Sequence, residues 1–137
     1  MADYFTCFSV VLKLQDIPQQ EYAVDLAAKV SRHRFEDEPL CSDFPPGLVD
    51  VLEDWNFETE KENDGIWLHS DSGGIDAVCA FIQHLLQKFD PSGRVSFEWS
   101  NDCSKPRVDA YGGGAAIITA GKIKSMSTDQ WLRKHAA

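Results

Sequence analysis

The run from Ile75 to Leu86 limits the fold more than any other stretch. Ile75, Val78, Cys79, Ile82, Leu85 and Leu86 recur at i, i+3, i+4 and i+7, the period of a helix with one apolar face. Ser70, Asp71 and Ser72 precede the run as candidate caps, and Pro91, Ser92 and Gly93 stop it. A helix with such a stripe is stable only when the stripe is covered by a second layer.

The flanking sequence supplies that layer. Tyr4 to Leu14 reads as a strand, with Tyr4, Phe8, Val10, Leu12 and Leu14 on one face and Phe5, Cys7 and Val11 on the other. Apolar residues on both faces place it inside a sheet. Asp16 and Pro18 then open a helix of about four turns, in which Tyr22, Ala23, Leu26, Ala27 and Val30 form the stripe. Arg32 to Pro46 loses periodicity and reads as a connection, and Pro46 opens a short helix containing Leu48, Val49 and Leu52. Trp55 to Glu60 and Ile66 to His69 alternate as strands around Lys61 to Gly65, where Asn63, Asp64 and Gly65 favour a hairpin turn.

Beyond the main helix, Val95, Phe97 and Trp99 alternate with polar residues, which predicts a strand buried on one face. Ala115 to Thr119 and Lys122 to Met126 predict a hairpin about Ala120 and Gly121, and Ser127 to Gln130 has the spacing of a capping box. The expected fold is therefore α+β, one domain over 1–137. Its first six elements follow the order of a ferredoxin-like split β-α-β-β-α-β sheet with helices on one face, extended by a C-terminal β-hairpin and short helix. Such an order hosts many functions and selects none.

Charge is more informative than composition. The net charge is -9, yet Glu36 to Asp64 holds eleven acidic residues and one basic one, Lys61, so that window carries -10 and the rest of the chain +1. A field of that sign repels a nucleic-acid backbone and attracts a basic surface. No apolar run approaches the roughly 20 residues of a membrane span. Cys7, Cys41, Cys79 and Cys103 are widely spaced with no CxxC pair. A reduced, cytoplasmic chain is expected, with neither membrane nor direct nucleic-acid contact.

Two groups of residues stand out as sites. The first lies between Trp99 and Thr119, where Lys105, Arg107 and Asp109 precede Gly112, Gly113 and Gly114. Lys105 and Arg107 could grip a phosphate or carboxylate while bare glycine backbone lets it approach. The segment lacks the GxxxxGK[ST] spacing, however, and a glycine run entering a strand equally shapes a turn or bulge. The second group is Glu58, Glu60 and Glu62, alternate residues of one strand, together with Trp67. Alternation puts the three carboxylates along one solvent face, and an aromatic beside an acidic face can anchor a protein partner.

Catalytic signatures are incomplete. Cys103 and His69 are the best available thiol and base, but nothing in the sequence brings them together. Ser70 to Gly74 could hold an anion at a helix N-terminus, although capping explains the same residues and Asp71 opposes an anion. His33, His69, His84 and His135 show no metal-ligand spacing, so neither metal nor cofactor is expected. Trp55, Trp99 and Trp131 are expected in packing.

The leading expectation is a non-enzymatic acidic binding or regulatory protein, such as an inhibitor, whose acidic region Glu36 to Asp64 faces a basic protein partner (a nucleic-acid-binding or toxin-like protein), with Glu58, Glu60, Glu62 and Trp67 making the contact. The alternative is a small anionic-ligand-binding protein or enzyme using Cys103 to Gly114. A third is a homo-oligomer assembled through the sheet or the C-terminal hairpin.

Overall fold

The computed structural model describes residues 3–105 and 111–136. The chain runs through β1 (Tyr4–Lys13), α1 (Ile17–Phe35), a 3-10 helix (Pro46–Asp54), β2 (Glu58–Glu62), β3 (Gly65–Ser70), α2 (Ile75–Phe89), β4 (Arg94–Cys103), β5 (Gly112–Thr119), β6 (Ile123–Ser127) and α3 (Thr128–His135). The strands form one six-stranded sheet in the order β2-β3-β1-β4-β5-β6. Every neighbouring pair is antiparallel. The fold is α+β, and no described helix is long and apolar enough to cross a membrane.

Period-two alternation divides this sheet into unlike faces. Phe8, Val10, Leu12, Ile66, Leu68, Phe97, Ala116 and Ile118 point to one side and are buried with Ala23, Leu26 and Val30 of α1 and Val78, Ile82, Leu85 and Leu86 of α2. Both long helices therefore cover the same face. Trp55 and Phe57 stack at 4.9 Å and pack against Phe81, so the segment just before β2 drops into the core. The strand itself begins at Glu58, later than the alternation from Trp55 suggests, because Trp55 and Phe57 are held by the helices rather than by a neighbouring strand.

Three local expectations change. Helix α1 runs through Phe35, about one turn past its apolar stripe, because Arg32, His33 and Arg34 suit the negative end of the helix dipole. Arg34 also donates to the carbonyls of Trp55 and Glu53, the latter at 3.2 Å, tying the helix end to the chain before β2. The start of α2 is not capped by Ser70, Asp71 or Ser72. Gly74 occupies the N-cap at φ +89, a conformation that favours glycine, and Asp54 from the 3-10 helix accepts the Ala77 amide at 3.0 Å. Ser72 instead bridges Thr6 of β1, with the Gly73 amide donating to the Thr6 carbonyl. Finally, Trp131 lies 53% exposed on α3, whereas Trp55 is buried and Trp99 half-buried. The Ser127–Gln130 capping box forms with both of its hydrogen bonds.

Candidate functional site: an acidic face on β2 and β3

The uncovered face of the sheet carries the polar half of each strand. The β2–β3 register sets Glu58 opposite His69, Glu60 opposite Trp67 and Glu62 opposite Gly65. On the far side of β3, Ser9 of β1 faces His69 and Val11 faces Trp67. Directly paired residues share a face, so Glu58, Glu60, Glu62, Trp67, His69, Ser9 and Val11 form one surface.

Within it the contacts are specific. The Trp67 and His69 rings stack with centroids 3.7 Å apart and planes at 23°. The Trp67 indole N–H donates to Ser9 Oγ at 2.7 Å, which fixes the ring against β1. His69 Nε2 lies 2.6 Å from Glu60 and 3.7 Å from Glu58. The His69 side chain is 21% exposed and that of Glu58 78% exposed, so the imidazole is sheltered and the carboxylate stands in water. A half-exposed contact of this kind contributes little to stability. Its main effect is orientation, since Glu60 is held beside the aromatic pair. A shallow recess of about 510 Å³ lies alongside, with Cys7, Asn56 and Ser70 among its other walls.

Chemically this surface offers acceptors and an aromatic edge. Glu58 and Glu60 can take charge-assisted hydrogen bonds from ammonium or guanidinium groups, and an indole beside them suits the apolar stem of a lysine or arginine. Glu58, Glu60 and His69 are also the one group among the described residues whose ligand atoms could share a divalent cation, lying within 4.8 Å of one another. Among the described residues no hydroxyl or thiol is hydrogen-bonded to His69, whose partner is Glu60.

Cys103 and His69 do not meet. Cys103 pairs with Tyr4 and His69 with Ser9, five residues apart along β1. They also point to opposite faces, Cys103 sharing the parity of buried Phe97. The other thiols are poor nucleophiles. Burial pushes Cys79 up to about 12, helped by the carboxylates of Asp76 and Asp54. Desolvation raises Cys7, and a hydrogen bond to Asp43 raises Cys41.

Of the proposed anion loop, Arg107 and Asp109 lie outside the described residues. Lys105 is exposed, with its carbonyl accepting from the Tyr111 hydroxyl at 3.2 Å. Gly112 and Gly113 belong to β5, opposite Asn101 and Ser100. The Gly113 amide donates to Thr128 Oγ1 at 3.0 Å, and a Cβ there would fall 2.2 Å from the Trp99 carbonyl oxygen. Close strand approach accounts for that glycine.

The acidic window of the sequence is not one surface. Glu38 pairs with Arg32 at 2.8 Å, Asp54 caps α2, and Glu58, Glu60 and Glu62 alone line β2. Sequence reasoning also passed over Ser9, the anchor of Trp67. Its signal was a hydroxyl on the strand face it shares with Phe5, Cys7 and Val11, but naming its partner requires the β1–β3 register. No protein-family model, no curated protein and no solved structure matches the chain.

Proposed function

We propose that the chain is a non-enzymatic binding module that docks a basic protein partner on β2 and β3, with Glu58, Glu60 and Glu62 as acceptors and Trp67 as the aromatic contact. One observation carries this reading: Glu58 and Glu60 stand beside the Trp67–His69 stack on a sheet face that α1 and α2 leave uncovered. Carboxylates so placed speed the encounter with a cationic surface, and the ordered indole adds short-range contact. We read the first six elements, with β2-β3-β1-β4 as their strand order, as a ferredoxin-like split unit that β5, β6 and α3 extend. The four unbridged cysteines suit a cytoplasmic encounter.

The reading is tested by partner capture from a native lysate with the tagged chain and with its Glu58→Gln/Glu60→Gln/Glu62→Gln variant. A specific partner is expected at low salt, released at high salt and absent from the variant. Retention of the same partner by the variant, with unchanged salt dependence, would refute it.

A further inference from the structure

The sheet ends in two free edges of opposite charge. At one end, among the described residues, β2 pairs only with β3 and presents Glu58, Glu60 and Glu62 on the uncovered face. At the other, again among the described residues, β6 pairs only with β5. Its Lys124 and Met126 lie opposite Ile117 and Ala115, on that same uncovered face, with Lys122 two residues before Lys124. Among the described residues neither lysine has an ion-pair partner, and neither has Glu62. No described backbone hydrogen bond joins either strand to a segment beyond its sheet neighbour, apart from those of the adjoining β5–β6 turn. Unpaired edges of this sort are templates for another strand unless something blocks them.

We infer that the acidic edge β2 of one copy receives the basic edge β6 of a second copy, so that the sheet continues from molecule to molecule. This inference rests on the reading of β2 as an acidic docking strand and names its occupant. Charge selects among the possible edge pairings. Joining β2 to β2 sets glutamates against glutamates, and joining β6 to β6 sets lysines against lysines, whereas β2 with β6 sets opposite charges together.

Strand direction agrees. Six strands that are antiparallel throughout leave the two edge strands pointing in opposite directions. A neighbour displaced along the sheet therefore brings β6 to β2 antiparallel, with the uncovered faces on the same side. One register then opposes Glu62 to Lys122, Glu60 to Lys124 and Glu58 to Met126. In that register the alternate residues Ile123 and Ser125 turn toward the helix side, where a groove of about 410 Å³ lies beside β2, walled by Val24, Ala27, Ala28 and Thr59. Ile123 is 37% exposed and Met126 40% exposed in the single chain, so both have apolar surface to bury. The interface is head-to-tail, and its geometry adds copies unless the twist closes a ring. Edges of five residues each place it among the small, weak interfaces, favoured at high protein concentration.

Sedimentation equilibrium of the purified chain tests this without any variant. The average mass is expected to rise with concentration above that of one chain, and to rise less in about 0.5 M salt than in about 0.05 M salt. Two charge reversals identify the edges: Glu58→Lys/Glu60→Lys on β2, and Lys122→Glu/Lys124→Glu beside and on β6. Each is expected to be monomeric alone, and mixing the two restores assembly because each supplies the edge that matches the other. A wild-type chain monomeric at every concentration overturns the inference. So does either reversal that assembles alone like wild type, or a mixture that stays monomeric.

A lysine-rich peptide, followed by tryptophan fluorescence, separates this inference from the docking reading. If the wild type is monomeric but binds the peptide, and the Glu58→Gln/Glu60→Gln/Glu62→Gln variant does not, self-assembly fails and the acidic docking strand stands. If the wild type neither assembles nor binds the peptide, both fail.

Discussion

The two faces of the sheet come from the same strands and do opposite work. On the helix side, Val10, Leu12, Ile66 and Leu68 are buried, and each is held by several others. On the uncovered side, the residues between them, Ser9, Val11, Trp67 and His69, meet water and one another. The difference shows how one alternating sequence buries one face for stability and leaves the other, the proposed docking face, open to water. A substitution on one face should scarcely be felt by the property carried on the other, because neighbouring side chains along a strand point away from each other.

The largest break in that comparison should come from the core. Phe81 is fully buried against the stacked rings of Trp55 and Phe57, and Phe81→Ala is expected to cost about 3–5 kcal/mol in urea unfolding. On the open face Glu60→Gln should change stability by no more than about 0.5 kcal/mol. A smaller effect sharpens the division among the acids themselves. Asp54 belongs to the acidic window but serves the helix side by capping α2, so Asp54→Ala should cost about 1 kcal/mol while leaving association at β2 unchanged. Unfolding and sedimentation measured on the same sample check both halves.

The smallest effect is a pH dependence on the helix side. His84 Nε2 lies 2.8 Å from the Tyr22 hydroxyl. Burial, and then the charge of Lys88, lowers the His84 pKa below its usual value near 6.5. The folded state thus favours the neutral imidazole, and the unfolded chain binds more protons as the pH falls past about 6.5. This stabilisation is present above the unfolded value and is lost as pH falls through the lower folded one. Thermal melts between about pH 7 and pH 5 should show a shallower decline for His84→Gln than for the wild type, and equal slopes would remove His84 from the account.

Much of this fold was legible in the residues, and each success rested on local periodicity. The stripe from Ile75 to Leu86, the alternation of β1 and β4, the Asn63–Asp64 turn and the Ser127–Gln130 capping box are all short-range patterns. Failures came where a distant group settled a local question. Asp54 displaced Ser70, Asp71 and Ser72 as the cap of α2, and Arg34 helped hold a helical turn that has no apolar stripe. Trp131 has the size of a core residue, yet on α3 it is exposed because that helix lies beyond the main core.

The candidate site divides in the same way. Its members Glu58, Glu60, Glu62 and Trp67 were visible as alternating carboxylates and a lone aromatic, because the side-chain period of a strand is a property of the chain itself. The same alternation puts Trp67 beside His69, but the meeting of His69 with Glu58 and Glu60, and of Trp67 with Ser9, was not visible, because it depends on β3 lying between β2 and β1 in one register. By itself the sequence determined which residues share a face, through backbone geometry that acts over a few residues. Only the tertiary structure decided which faces are covered and which strands are left as edges. Those outcomes depend on long-range pairing and packing, in which segments far apart in sequence compete to bury the same apolar surface.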